Sequence, residues 1–160
     1  MKNEEFSKLL ELGKWSGIIT RQFENYIKRE MKPYDVGFVE FFFLMGIGLE
    51  RKVKDKRFFF EESLCIDKAV FTRSLKALEC KGYIKNAKSL SDACPHAELT
   101  ARGLEAQAFG RKIMQIWWDI IFKDIPENTL KLMYASQRQM AMNILSVTSP
   151  TAIKTGKLPE

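Results

Sequence analysis

A short segment between residues 66 and 83 carries cationic, hydroxyl and small side chains at helical spacing. The set is Lys68, Ala69, Val70, Thr72, Arg73 and Lys76. Cationic and hydroxyl side chains donate hydrogen bonds to phosphate oxygens and base edges, and small side chains let a helix backbone approach a DNA groove closely. The set therefore fits a helix face that reads DNA. The pattern is also typical of a solvated amphipathic helix, so these residues alone leave both interpretations open.

The same segment carries the signals that begin, orient and end a helix. Asp67 is a good N-cap, because its carboxylate can accept hydrogen bonds from amides in the first turn. Gly82 suits the left-handed position that follows a helix. Phe71, Leu75 and Leu78 fall at i, i+4 and i+7, which predicts a buried stripe opposite the polar set.

The excess positive charge of the chain is concentrated around this predicted helix. Residues 51–88 contain eleven Lys and Arg against five Asp and Glu, so their net charge of +6 equals that of the whole chain. A polyanion-binding surface is expected to have this distribution. An ordinary lysine-rich surface, or one that faces an acidic protein or a membrane, has the same pattern.

The cysteines give no framework for disulfides or for zinc. Cys65, Cys80 and Cys94 have no CxxC spacing, and His96 is the single histidine. We therefore predict no metal site and a reducing, cytoplasmic location. Cys94, in a predicted turn beside His96, could sense oxidants, although an inert surface thiol is the simpler interpretation. Cys65 and Cys80 are predicted to be buried packing residues.

Neither catalytic nor membrane signatures are found in the sequence. There is no Gly-rich phosphate loop, nucleophile elbow or HxxxH motif, so we predict no catalytic residue and no cofactor. The longest apolar run, residues 38–49, is shorter than the roughly 20 residues that a membrane-spanning helix needs. We expect a protein without enzyme activity and without a membrane span.

Periodicity predicts a mainly α-helical chain with one small β-hairpin. Helices are predicted at residues 3–31, 34–49, 58–64, 66–83, 101–123 and 126–145, and the hairpin at 84–99. The helices at 58–64 and 66–83 would form a helix-turn-helix. The first helix is apolar on more than one face, so a second subunit could cover part of it.

Aromatic residues on the predicted helices could line a pocket for a small ligand. The candidates are Trp15, Phe23, Phe42, Trp117 and Trp118. Aromatic residues at helical spacing are also typical of a hydrophobic core, which is the simpler interpretation.

With this order of elements, the chain resembles the MarR (multiple-antibiotic-resistance regulator) family of bacterial transcription factors. The segment IDKAVFTRSLKALECKGYI (66–84) is similar to the recognition helix of that family and the strand that follows it. The segment LTARG (99–103) is similar to the start of its long dimerisation helix. These motifs cover a small part of the chain, whereas the order of helices covers nearly all of it.

The resemblance implies one domain over residues 1–160, a winged helix-turn-helix with N- and C-terminal dimerisation helices. The dimerisation helices would lie at 1–33 and 101–147, the winged lobe at 34–100 and a flexible tail at 148–160. It further implies a homodimer on a pseudo-palindromic operator in double-stranded DNA, with recognition helices about 34 Å apart. By analogy the protein would be a repressor, released by a small aromatic ligand or an oxidant.

The predicted wing departs from the pattern of the family. The family usually carries Asp-Xaa-Arg there, and its arginine enters the minor groove, whereas Cys94 follows Asp92 and Ala93 in this chain. A cation is what reads the negative potential of a narrow groove. The wing contacts would then be weak.

Other residues near the wing could replace the missing arginine. Lys85, Lys88 and His96 lie on the predicted hairpin. Arg102, at the start of the next helix, could bind phosphate or pair with Asp92, and the sequence leaves both open. The missing arginine also permits a different function, a winged-helix module that docks another protein and does not bind DNA specifically.

Overall fold

A computed structural model of the chain describes residues 3–47, 68–85 and 97–148. Its elements are α1 (Asn3–Glu30), a 3₁₀ helix (Lys32–Tyr34), α2 (Phe38–Gly46), α3 (Lys68–Cys80), β1 (Ile84–Lys85), β2 (Glu98–Leu99), α4 (Ala101–Ile121) and α5 (Glu127–Thr148). The predicted architecture, mainly α-helical with one β-hairpin, is confirmed. The predicted helix at 58–64, the N-cap at Asp67, the hairpin tip and the C-terminal tail lie outside the described residues.

The two strands form the base of the predicted hairpin. They are antiparallel, with Ile84 opposite Leu99 and Lys85 opposite Glu98. Ile84 is buried, while Lys85 and Glu98 are exposed. This alternation is expected where one face of a hairpin packs on a core and the other meets water.

The second helix begins later than its apolar run predicts. A continuous helix from Tyr34 is wrong, because Asp35 has a left-handed backbone (φ 50°) and Gly37 is the N-cap of α2. The Gly37 amide donates to Oε2 of Glu40 at 2.8 Å, which satisfies one of the free donors at the start of the helix. Apolar periodicity cannot reveal such an interruption, because it depends on a left-handed residue and a cap.

One hydrophobic core joins the elements of the winged lobe to α1 and α4. Its buried apolar residues are Ile27, Met31, Val36, Phe41, Phe43, Leu44, Phe71, Leu75, Leu78, Tyr83, Ile84, Ala106 and Ile113. The predicted stripe of α3 is therefore confirmed as core. Phe43 of α2 meets Phe71 of α3 edge to face, with ring centroids 5.0 Å apart, a favoured aromatic arrangement.

The first twenty described residues of α1 are all exposed. Seven large apolar side chains there are between 43% and 61% exposed, namely Phe6, Leu9, Leu10, Leu12, Trp15, Ile18 and Ile19. From Phe23 onward the helix packs on the core, and Ile27 is fully buried. The first half of the helix, which the sequence indicates to be apolar on more than one face, is therefore exposed in the single chain.

The chain divides into two compact units, residues Met1–Trp117 and Trp118–Glu160. In the second unit, Trp118 stacks on Phe122 with ring centroids 5.1 Å apart. The left-handed Asp124 (φ 62°) lies between α4 and α5. The Pro126 carbonyl accepts from the Leu130 amide at 3.1 Å, so the predicted start of the last helix near Pro126 is confirmed.

A buried amide of α4 caps the C-terminal end of α2. Gln107 is 5% exposed, and its Nε2 donates to the carbonyls of Leu44 at 2.7 Å and of Ile47 at 2.8 Å. Its Oε1 accepts from Arg111 at 3.0 Å. Because the last carbonyls of a helix have no partner within it, this side chain replaces the water that would otherwise solvate them.

Two glycines of α4 allow its close approach to the winged lobe. A Cβ on Gly103 would lie 2.0 Å from the backbone oxygen of Tyr83. A Cβ on Gly110 would meet side-chain atoms, Cε of Met45 at 2.6 Å and a ring carbon of Phe41 at 3.0 Å. A backbone oxygen held in the fold cannot move away, whereas a methionine side chain can change rotamer.

We expect Gly103→Ala to be much more destabilising than Gly110→Ala. The first should lower the free energy of unfolding by about 3 kcal/mol through overpacking. The second should be nearly neutral, since a helix-propensity gain of about 1 kcal/mol offsets a smaller clash. Urea unfolding followed by circular dichroism measures both, and equal losses would contradict the predicted difference.

Candidate nucleic-acid interface

The face of α3 opposite the core carries the predicted DNA-contacting residues. Ala69, Arg73 and Lys76 are exposed at i, i+4 and i+7, and Val70 and Thr72 are half-buried beside them. Lys68 is the first residue of α3. Within the described ranges, neither Arg73 nor Lys76 forms an ion pair or a side-chain hydrogen bond. Both cations are therefore available to an outside anion, and the structure leaves their assignment to DNA as a prediction.

The C-terminal end of α3 is closed by a Schellman motif. Gly82 has φ 75°, as its predicted left-handed role requires. Its amide donates to the carbonyl of Glu79, and the amide of Tyr83 donates to the carbonyl of Leu78, each at 2.9 Å. These two bonds are the ones that define the motif. They fix the direction in which the chain leaves α3 toward β1.

Lys81, the residue before Gly82, links the end of α3 to the start of α2. The ammonium of Lys81 lies 2.9 Å and 3.1 Å from the carboxylate oxygens of Glu40, and 2.5 Å from the backbone oxygen of Asp35. Burial lowers the pKa of Lys81, but hydrogen bonding to Glu40 and the charges of Glu40 and Asp35 outweigh burial, so the pKa is raised overall. The positive charge of Lys81 is therefore balanced by carboxylates of the protein itself.

Thr100 and Arg102, at the start of α4, form hydrogen bonds with residues 81–83 at the end of α3. Thr100 donates from its hydroxyl to the Gly82 carbonyl at 2.6 Å, and its amide donates to the Tyr83 carbonyl at 3.0 Å. Arg102 donates to the Lys81 carbonyl at 2.9 Å, and its guanidinium lies 4.7 Å from the centre of the Tyr83 ring. The phenol of Tyr83 donates to the Tyr34 carbonyl. Every carbonyl from residue 81 to 83 therefore accepts a hydrogen bond.

Arg102, predicted to bind phosphate or to pair with Asp92, thus makes a third kind of contact, with the end of α3. It remains exposed, so a phosphate contact stays a prediction. Asp92 lies outside the described residues, as do Lys88, Cys94 and His96. Lys85 is exposed and lies 3.1 Å from Glu98 across the hairpin. Its proposed role on DNA also stays a prediction.

Cys80, at the end of α3, is a free and exposed thiol. The expectation that it is a buried packing residue is wrong. The buried stripe of α3 consists of Phe71, Leu75 and Leu78, and the next position on that stripe falls after Cys80. Cys65 lies outside the described residues.

Three of the five aromatic residues predicted to line a ligand pocket lie together in the first unit. The ring centroid of Phe23 is 6.1 Å from that of Phe42 and 5.3 Å from that of Trp117. Phe38 joins them at 5.9 Å from Phe23. All four are half-buried. They form an aromatic cluster whose three phenylalanines pack on the core and whose four rings keep part of their surface accessible.

The other two candidates lie elsewhere. Trp15 is 56% exposed on the first half of α1, eight residues or about 12 Å before Phe23 along the helix. Trp118 belongs to the second unit, where it stacks on Phe122.

Three of the residues that hold the end of α3 were not identified from the sequence, unlike Gly82. Glu40, Lys81 and Tyr83 are joined to partners more than forty positions away in the chain. No local spacing marks such pairs. The available signals were a lone Glu in an apolar helix and a Lys beside a C-terminal glycine, and neither is specific.

In the described part of the chain, no group of three or more His, Cys, Asp and Glu residues could hold a metal ion. None of the described helices is both long enough and apolar enough to cross a bilayer.

Comparison with known proteins shows the fold. No protein-family model matches the sequence, and no curated protein matches it. Among solved structures, a MarR transcriptional regulator from Methanosarcina mazei Go1 matches with TM-score 0.69 and 24% identity over 92% of this chain and 95% of that one.

Two further matches were solved with bound molecules. A mutant MarR from E. coli, complexed with operator DNA, has TM-score 0.62 and 16% identity over 84% of this chain and 96% of its own. CouR from Rhodococcus jostii RHA1, bound to p-coumaroyl-CoA, has TM-score 0.57 and 13% identity over 93% of this chain and 92% of its own. The chain therefore has the winged helix-turn-helix fold of MarR regulators.

Proposed function

We propose that the chain is a DNA-binding transcriptional regulator of the MarR type and that it acts as a homodimeric repressor. The observation that carries this proposal is the exposure of Arg73 and Lys76, without protein partners in the described ranges, on a helix whose other face is core. Such a helix presents cations to a groove without losing its packing. Arginine can donate two hydrogen bonds to guanine, and lysine can bind guanine or phosphate.

The solved structures support this proposal through their bound molecules. The E. coli protein of this fold was solved with operator DNA. The excess positive charge of the present chain falls within residues 51–88, around α3. Fold and charge therefore favour the same partner, double-stranded DNA.

A homodimer is the second part of the proposal. A helix of twenty exposed residues with Gly13 and Gly17 in it is marginal in water, because each internal glycine costs about 1 kcal/mol relative to alanine. Exposed apolar side chains also cover α5, where Leu132, Met140 and Ile144 are at least half exposed. Apolar surface of this extent marks an interaction site, and a second copy of the chain would cover it.

A small aromatic effector is the third part. The aromatic cluster Phe23, Phe38, Phe42 and Trp117 keeps accessible surface beside the core, and CouR was solved with p-coumaroyl-CoA. We propose that an aromatic ligand binds at this cluster and lowers the affinity for DNA. An oxidant acting at Cys94 is the alternative release signal.

A winged-helix module that docks another protein remains the second candidate for the whole chain. It is favoured by the absence of the arginine at the predicted wing position, where Cys94 stands. The two candidates differ in salt dependence, since only DNA binding releases condensed counterions.

We expect the protein to enrich one sequence from a random pool of duplexes and to bind it with a steep loss of affinity as salt rises. Arg73→Ala should weaken that binding by about 1–3 kcal/mol and relax base preference at one position. Lys28→Ala removes the same charge from α1, outside the set of predicted DNA contacts, and is the control. Flat salt dependence and indifference to Arg73 would favour protein docking.

The dimer should depend on the exposed apolar residues of α1. Ile19→Glu places a charge among them and should shift the protein toward monomer in sedimentation velocity at micromolar concentration, because burying an unpaired charge is costly. Arg21→Gln makes the same change in net charge on nearly the opposite face of the helix and should leave the dimer intact. A wild-type monomer, or a dimer unaffected by Ile19→Glu, would contradict the proposal.

The effector should be detectable with a simple probe. Adding p-coumarate or salicylate to the protein–duplex complex should release DNA, and Phe42→Ala should abolish the response while retaining binding to the duplex. Fluorescence anisotropy of labelled duplex measures both. Release that persists in Phe42→Ala would rule out the aromatic cluster as the binding site.

A further inference from the structure

One ion pair joins the end of α3 to the beginning of α2. Glu40 and Lys81 lie on different elements, and their charged atoms are 2.9 Å apart. The side chain of Glu40 is 14% exposed and that of Lys81 is 28% exposed. An ion pair in this partly buried setting is screened less by salt than a surface pair.

The carboxylate of Glu40 holds both elements at once. Its Oε2 accepts from the Gly37 amide at the N-cap of α2 and from the Lys81 ammonium at the end of α3. Charge-assisted hydrogen bonds of this kind are short and strong. The start of α2 and the end of α3 therefore share one anchor.

The backbone of Lys81 is held from the opposite side. Its carbonyl accepts from Arg102 of α4, while its ammonium also contacts the backbone oxygen and the carboxylate of Asp35. The residue after α3 is thus fixed between α2 and α4. Any tilt of α3 about its buried stripe would have to stretch one of these contacts.

We propose that Lys81, through its ion pair with Glu40, is a positioning residue that sets the angle at which α3 presents Arg73 and Lys76. This inference rests on the proposed function, because it concerns how a DNA-reading helix is aimed. Lys81 directly follows the last residue of α3, yet its charge is balanced by Glu40. It acts on the helix and not on phosphate.

Positioning affects specific and non-specific binding differently. Hydrogen bonds to base edges need donors held within about 0.5 Å and 10–20° of the productive geometry. Attraction to phosphates depends on charge and tolerates misplacement. Loss of the ion pair should therefore lower affinity for the duplex enriched from the random pool much more than it changes affinity for a duplex of scrambled sequence.

Glu40→Gln gives a test in which the two roles of Lys81 predict opposite signs. The amide oxygen can still accept from the Gly37 amide, so the cap of α2 is retained while the charge is removed. If Lys81 bound phosphate, freeing it from Glu40 would strengthen binding to both duplexes. If Lys81 positions α3, the variant binds the enriched duplex about tenfold more weakly, although the protein has become more positive.

The matched variants are Lys81→Met, the double variant Glu40→Gln/Lys81→Met, and Lys81→Arg. Glu40→Gln and Lys81→Met should lower the ratio of enriched to scrambled affinity by similar factors. The double variant should lower this ratio no further, because each single substitution already removes the same ion pair. Lys81→Arg should retain most of this ratio. The salt slope of Lys81→Met should equal that of wild type, whereas loss of a phosphate contact would reduce the slope by about 0.9.

The control is a second lysine–glutamate pair that holds no DNA-reading element. Glu24 and Lys28 form an ion pair on one face of α1. Glu24→Gln and Lys28→Met make the same chemical changes and should leave the ratio of enriched to scrambled affinity unchanged. A similar fall in this ratio for the Glu24 and Lys28 variants would overturn the assignment of a positioning role to Lys81.

Hydrogen exchange separates this inference from the proposed function. In Glu40→Gln, the amides of Gly82 and Tyr83 should exchange at least fivefold faster, while those of Ile27 and Ile113 keep their protection. If the wild-type protein binds no duplex, the proposed function is refuted. The positioning role of Lys81 on DNA is then refuted as well, whatever the hydrogen exchange of Glu40→Gln shows. Unchanged exchange, unchanged discrimination, or tighter binding by Glu40→Gln each overturns the inference while leaving DNA binding intact.

Discussion

Burial of one stripe of α3 decides how the winged lobe is arranged around this helix. Phe71, Leu75 and Leu78 pack into the core, with Phe71 against Phe43 of α2. Burial of each such side chain is worth about 1.5–3 kcal/mol. Once this stripe is buried, helical geometry directs Arg73 and Lys76 outward. The availability of these cations is therefore a consequence of packing and not a separate feature.

A buried stripe fixes which face of a helix points outward but leaves its tilt less well determined. The polar contacts at the end of α3 supply that second constraint. The Schellman bonds at Gly82, the ion pair of Lys81 and the capping hydrogen bonds from Thr100 and Arg102 all converge on three consecutive residues. Gly103 completes this region, since its lack of a side chain allows α4 to approach the Tyr83 carbonyl. Apolar packing therefore determines which face of α3 points outward, and the polar contacts at its end determine its tilt.

Local patterns in the sequence were sufficient for the existence of the helices that the structure describes, for the hairpin base and for the buried stripe. Phe71, Leu75 and Leu78 follow helical periodicity, and Gly82 carries a conformation that few other residues adopt. The start of α2 was missed because Asp35 and the cap at Gly37 interrupt an otherwise continuous apolar run. The ion pair of Glu40 with Lys81 and the cap from Gln107 could not be predicted, since each joins residues distant in the chain. The exposure of the first half of α1 follows the same logic, because nothing within the described residues covers its apolar side chains and local periodicity cannot say what would.

If the proposed homodimer binds DNA, its two copies of α3 enter successive major grooves of one duplex. Hydroxyl-radical footprinting of the protein on its enriched duplex tests this most directly. We expect two protected patches related by a dyad, with centres about 10 base pairs apart. A single protected patch, or protection without a dyad, would contradict it.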